Sequence, residues 1–237
     1  MPLQQHMDQL FEIEARGAAE GINPMFGEWR QKFDLEPVSH ASPWPTRATF
    51  KQAVRKQLKN KFVFVGEVSL IVTVYLNEQK TLETPAYGGL DNYAKQLLDT
   101  IKGNGGLLID DCQVQRLAIS WIDVPHEASF EIEIKGGPDD FLPLPIKLYL
   151  MPDGLYYPIS ELVWTTEGVI SAPEGSVSAL RQVLTQMTAN KRGLRHQLRQ
   201  DGVPQFRAFQ TSKYVSPVLM GFHKTRVMDS GFELVEP

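Results

Sequence analysis

The sequence predicts an α/β protein: a mixed sheet with helices packed on one face. Three observations predict it. Residues 67–76 alternate, with Val68, Leu70, Val72, Val74 and Leu76 on one face and Ser69, Thr73 and Tyr75 on the other. That is the period of a half-buried strand. Residues 91–102 carry Ala94, Leu97, Leu98 and Ile101, the i, i+3, i+4, i+7 stripe of an amphipathic helix. Two more strands follow. Leu117, Ile119 and Trp121 share a face within Val114 to Ile122, and Phe130, Ile132 and Ile134 alternate with Glu131, Glu133 and Lys135. The order β-α-β-β implies a sheet with a helix laid across it.

The flanking segments extend this core. Residues 1–40 read as a mixed-charge, mostly helical lead-in, broken near Gly21–Pro24. Residues 38–46 hold two prolines among small polar residues and read as a loop. A helix is expected over 46–61, with Phe50, Val54 and Leu58 as its apolar row and Arg47, Lys51, Arg55 and Lys59 four residues apart along one face. The proline-rich stretch 137–146 marks a boundary. Beyond it, 146–159 suggests a hairpin around Pro152-Asp153-Gly154, and 176–200 a helix or helix pair interrupted at Gly193. Leu180, Val183, Leu184, Met187, Leu194 and Leu198 supply its core stripe. The expected organisation is an N-terminal helical extension (1–40), a core (41–137) and a C-terminal α+β extension with a basic helical segment (138–237).

Composition narrows the function classes. The 237 residues are 42% apolar and 22% charged, enough for a packed core. No apolar stretch approaches the ~20 residues that span a bilayer. The single Cys112 forms no internal disulfide, and the first residues lack a signal-peptide pattern, so a soluble cytoplasmic protein is expected. The net charge of −4 conceals segregation. Residues 175–228 hold nine Lys/Arg and one acid, Asp201, and 41–66 hold six Lys/Arg and none. Such patches let a polyanion bind an overall acidic chain, although solvated helix faces give the same pattern.

The chemistry-bearing constellation is Gly89-Leu90-Asp91-Asn92, Lys95 and Asp99, followed by Asp110-Asp111-Cys112-Gln113-Val114. On a helix starting near 91, Asp91, Lys95 and Asp99 fall within about 80° of arc, beside the apolar stripe. Asp110-Asp111 follow three aliphatics at a strand end, where neighbours point to opposite faces, so one of the pair faces the helix. Bringing it to Asp91 makes a repulsive carboxylate pair that a hard divalent cation neutralises. Such an ion can polarise a phosphodiester and activate water, with Lys95 stabilising the phosphate charge. Singly, each group has a plainer reading: Asp91 as an N-cap, Asp110-Asp111 as a turn, Lys95 as a surface cation.

These residues resemble the RusA-type Holliday junction resolvases, which carry Asp-x-Asp-Asn, a Lys and an Asp at four-residue steps, and a strand ending in Asp-Asp-x-Gln-Val. The resemblance covers about 70 residues, from the strand at 67 to the one ending near 135, and the helix 46–61 fits more loosely. It implies a RusA-like α/β homodimer, an endodeoxyribonuclease that binds four-way or branched DNA and cuts it with Mg²⁺, or Mn²⁺ in its place. Carried over by position, Asp91, Lys95 and Asp111 are the catalytic residues, and Asp91, Asp110 and Asp111 the metal set. Asp99 and Glu83 are further candidate acids. Gly89 stands where the family has its first aspartate. That departure opens an alternative, a catalytically impaired protein that binds DNA structure alone.

Other features carry less. Lys102-Gly103-Asn104-Gly105-Gly106 is no phosphate loop, since it follows a helix and lacks Lys-Ser/Thr. The five histidines have no zinc spacing, and Cys112 reads as a buried core thiol. Arg192, Arg195 and Arg199 fall on one face of the basic helix. With Arg47, Lys51, Arg55 and Lys59 they are the candidate DNA-binding cations. The 175–228 segment is read as a DNA arm, or alternatively as a protein-docking or dimer-extending module.

Overall fold

The computed structural model describes residues 22–23, 27–58, 61–83, 89–137, 140–165, 168–213 and 220–236. The chain divides into two compact units, Met1–Phe141 and Leu142–Pro237.

In the first unit, strands β1 (Ile22–Asn23) and β2 (Glu28–Phe33) precede helix α1 (Trp44–Gln57). Strands β3 (Phe62–Phe64) and β4 (Val68–Asn77) follow, then helices α2 (Glu78–Glu83) and α3 (Leu90–Ile101), and strands β5 (Val114–Val124) and β6 (Ser129–Lys135). Five of these strands form one mixed sheet in the order β1-β2-β6-β4-β5. β4 pairs antiparallel with β6 and parallel with β5, so α3 is the crossover that a parallel neighbour requires. The alternation of β4 is realised: Val68, Leu70, Val72, Val74 and Leu76 are buried. They join Phe50 and Val54 of α1 and Leu97 and Ile101 of α3 in one apolar cluster. Leu117, Ile119 and Trp121 lie in register with Leu70, Val72 and Val74, on the same face of the sheet. Among the described residues β5 is an edge, and Leu117, Trp121 and Ile122 are exposed.

The lead-in expectation is corrected within 28–33. This segment is a sheet strand paired antiparallel with β6, not helix. Trp29, Gln31 and Phe33 alternate with Glu28, Arg30 and Lys32. Trp29 and Phe33 are buried, and the Phe33 ring stacks on Phe130 with centroids 4.8 Å apart. The helical reading of residues 1–21 lies outside the described residues. Helix α1 begins at Trp44, two residues before expectation, because proline is accommodated in a first turn whose N–H groups have no helical acceptor.

The unit division falls at Phe141, later than the expected 137. The Phe141 ring packs edge-on against Phe62 and Phe64, and the Asp140 carbonyl accepts from the Val65 N–H at 2.8 Å. A short strand, β7 (Phe141–Pro143), marks the junction.

The second unit opens with the hairpin β8 (Ile146–Leu150) and β9 (Tyr156–Ser160), turning at Pro152-Asp153-Gly154, where Gly154 has φ +80°. Strands β10 (Leu162–Thr165) and β11 (Gly168–Ser171) form a second hairpin. Helices α4 (Ser176–Gln200), α5 (Gln205–Lys213) and α6 (Lys224–Val227) follow, and strand β12 (Glu233–Val235) returns parallel to β8. Leu184 anchors α4 on Tyr149, Met151, Tyr157 and Ile159. The expected break at Gly193 does not occur, and α4 runs through it as one helix. A mid-helix glycine costs only about 1 kcal/mol against alanine, too little to interrupt 25 residues held by neighbouring packing.

Because Phe33 is integral to the sheet, Phe33→Ala is expected to lower unfolding stability by about 3–5 kcal/mol, read from the urea midpoint. A detached lead-in would leave that midpoint unmoved.

Candidate functional site

Helix α3 is capped by Gly89, in extended conformation, and buries Tyr93, Ala94, Leu97 and Ile101. Asp91 and Lys95 in its first turns are exposed, and among the described residues neither makes a hydrogen bond or ion pair. Asp91 sits at the positive end of the helix dipole, a favourable position for a carboxylate. A Cβ added at Gly89 would lie 2.6 Å from Asp91 Oδ1, so the Asp91 carboxylate covers the space that a side chain at 89 would enter. Asp99 is half-buried two turns further on.

After α3 the chain turns back on itself. Gly106 approaches the Ile101 carbonyl so closely that any Cβ there would collide with it. This approach lets the Leu107 N–H reach the Ile101 carbonyl at 2.7 Å. Leu107, Leu108 and Ile109 then enter the core. Asp110 caps a short 3₁₀ turn, Asp111–Gln113, and accepts from the Cys112 N–H at 3.1 Å.

Gln113 is fully buried and uses its whole carboxamide. Its Oε1 accepts from the N–H groups of Ile109 (2.7 Å) and Asp110 (3.1 Å). Its Nε2 donates to the carbonyls of Phe64 (2.9 Å) and Gly66 (3.0 Å). Thus the glutamine of the Asp-Asp-x-Gln pattern pins the acidic turn to β3 and the start of β4. The expected strand end is instead this 3₁₀ turn, and the turn, not strand alternation, separates the two aspartates: Asp110 is its buried cap and Asp111 meets the end of α3. Cys112, expected in the core, is half-exposed.

What meets Asp111 is Lys102, the C-cap of α3, a residue the sequence reading left out. Lys102 Nζ lies 2.8 Å from Asp111 Oδ2 and 2.9 Å from Asp99 Oδ1. Burial lowers the lysine pKa, the hydrogen bonds to Asp111 and Asp99 raise it, and the net displacement is upward. His40 Nδ1 stands 3.7 Å from Asp99 Oδ2, and Arg47 Nη1 is 3.4 Å from the same ring nitrogen. Lys51 adjoins this group, its pKa lowered first by burial and then by the Arg55 charge. The Asp99–Lys102 spacing of three is a recognised helical ion-pair interval, and could have signalled the pair.

The cations expected on DNA separate in role. Arg55 donates to the carbonyls of Thr100, Lys102 and Asn104, capping the C-terminal end of α3. Arg47 and Lys51 remain half-exposed, and Lys59 lies outside the described residues. Glu83, at the end of α2, is exposed and accepts from Gln79. Arg192, Arg195 and Arg199 lie on α4 of the second unit.

Asp91 stands eight residues before Asp99, about 12 Å along the helix axis, whereas Asp111 shares an ammonium with Asp99. Among the described residues no three His, Cys, Asp or Glu side chains gather as a metal-binding group. The pair suited by chemistry to a hard cation is Asp99 with Asp111: two carboxylates already drawn around one positive charge, with water and phosphate oxygens to complete a shell.

Residues 45–135 match the family model of an endodeoxyribonuclease. The model is that of the RusA endodeoxyribonucleases, and the segment similar to it runs from the first turn of α1 to the end of β6. No curated protein matches the chain.

Three substitutions test this architecture. Arg55→Gln is expected to lower unfolding stability by about 2 kcal/mol, because three helix-end carbonyls lose a charged donor, while Lys56→Gln on the exposed side stays within about 0.5 kcal/mol. Equal effects would return Arg55 to the surface cations. Gln113→Leu is expected to lower the urea midpoint by about 3 kcal/mol or more at unchanged slope, since it strands two buried donors and two carbonyls.

Proposed function

We propose that this chain is a divalent-metal-dependent endodeoxyribonuclease of branched DNA, four-way junctions included, acting as a homodimer in the cytoplasm. The observation that carries the reading is the family match over 45–135, a span that contains Asp91, Lys95 and Asp111. Mg²⁺ or Mn²⁺ suits the donor type, and Asp111 with Asp99 would hold it in exchange for the Lys102 ammonium. When bound, such an ion polarises a phosphodiester and favours ionisation of water. The chain's own groups then divide the work. Gln113 fixes the direction of Asp111, and Arg55 fixes the helix end that carries Asp99 and Lys102. Lys102, released from the carboxylates, is placed to meet phosphate charge. Lys95 and Asp91, exposed at the opposite end of α3, face the strand or a second copy.

The homodimer follows from symmetry: paired cuts in a two-fold junction require two sites related by a two-fold axis. The exposed Leu117, Trp121 and Ile122 on the β5 edge are the apolar surface that a second copy would cover. No helix among the described residues is long and apolar enough to cross a membrane.

A second reading, binding without cleavage, is favoured by the glycine at 89 and by the lysine held between Asp99 and Asp111. One assay divides the two. Wild type is incubated with a labelled synthetic four-way junction in Mg²⁺, Mn²⁺ or EDTA, beside Asp111→Asn and Asp91→Asn. Metal-dependent nicking is expected, reduced at least about 100-fold in Asp111→Asn and also reduced in Asp91→Asn. Tight junction binding with no nicking in either metal replaces the nuclease reading with the binding one.

A further inference from the structure

The second unit holds a basic cavity that the RusA segment does not include. Helix α5 returns beside α4 after the turn at 201–204, and between them lies a cavity of about 640 Å³. Its wall includes Arg192, Arg195, His196, Arg199, Gln200 and Gln205. Positions 192, 195, 196 and 199 follow the i, i+3, i+4, i+7 interval by which a helix normally presents an apolar stripe. Here that stripe is three guanidiniums and an imidazole.

Two of the arginines are oriented by neutral acceptors. Arg192 Nη1 donates to the Pro152 carbonyl at 3.1 Å, and Arg195 Nε donates to the Ser212 hydroxyl. These bonds set the direction of the two guanidiniums. No carboxylate is among the described lining residues, and Asp201, the one acid of 175–228, accepts from Gln197 instead. Like charges at helical spacing repel one another, so an anion in the cavity relieves the repulsion. Guanidinium forks match phosphate oxygens in bidentate geometry, and Gln200 and Gln205 add neutral donors. None of the described lining residues is aromatic.

We infer that this cavity binds backbone phosphates of DNA, independently of base sequence and outside the nuclease segment. The choice of DNA as the polyanion rests on the proposed function; the phosphate chemistry rests on the cavity itself. The site adds phosphate contacts to those of the 45–135 segment.

The test uses the full chain and a fluorescent duplex and four-way junction, with affinity followed by anisotropy across a salt series. Arg192→Gln combined with Arg199→Gln is expected to weaken binding of both DNAs about tenfold near 0.1 M salt, and to flatten the plot of log affinity against log salt by one to two units. Arg207→Gln, which removes an exposed cation outside the cavity wall, serves as the charge control and is expected to change neither by more than a fraction. Circular dichroism and a urea midpoint verify that the double variant folds. Affinity and slope both unchanged in the folded double variant overturn the inference. So does an equal loss in Arg207→Gln, which would reduce the effect to net charge, and so does a wild type that binds neither DNA. Junction cutting at saturating protein keeps the two readings apart. Normal cutting with weakened binding in the double variant supports the cavity, whereas a wild type that shows the arginine-dependent salt slope but never cuts leaves the cavity standing and removes the nuclease.

Discussion

The acidic turn of this protein depends on one buried side chain. Gln113 satisfies both lone pairs and both N–H groups of its carboxamide within the backbone of three segments: the turn itself, β3 and the entry to β4. A buried amide with one bond missing would be a liability of roughly 1–3 kcal/mol. With all four made, the turn has a single arrangement. From that arrangement follow the inward Asp110, the outward Asp111 and the meeting of Asp111 with the end of α3. Glutamine suits this task because glutamate would present no donor to the Phe64 and Gly66 carbonyls.

Helix α3 then works as a spacer with chemically different ends. Its first turns expose Asp91 and Lys95 to solvent. Its last turn collects Asp99, Lys102 and, from outside, Asp111, with Lys51, His40 and Arg55 around them. Lys51 and Arg55 both come from α1, and His40 from the loop before it. The ion pairs are only partly buried, so their contribution to stability is modest. Their effect is on geometry: Lys102 holds two acids together that would otherwise repel.

Much of the fold is legible in the sequence. The strict alternation of β4 and the stripe of α3 are period signals with no rival, and both stand. Strand β2 carries an alternation as well, Trp29 and Phe33 against Arg30 and Lys32, but it is short and embedded in charged sequence that also suits a helix. Only the sheet partner decides, because Phe130 supplies the surface that Phe33 covers. The site was legible by type and not by distance. Aspartates and glutamine of the turn stand out as a pattern, whereas which end of α3 the turn meets is set by the tertiary fold. Lys102 was hidden for a related reason, since its partner Asp111 is brought to it by the tertiary turn. The direction of Arg55 was hidden too. Its four-residue spacing with Lys51 describes a face, but what the face meets, the helix-end carbonyls of α3, is invisible along the chain.

That last contact has a consequence for local opening. A helix terminus ordinarily frays by itself, because its final carbonyls have no partner within the helix. Here the carbonyls of Thr100, Lys102 and Asn104 are held by a guanidinium belonging to α1. Unwinding the final turn of α3 therefore breaks bonds to a second helix, whose Phe50 and Val54 are rooted in the shared core. The two segments belong to one cooperative unit in the sense used for amide exchange, and slow exchange should extend through the end of α3 where fast exchange is the rule.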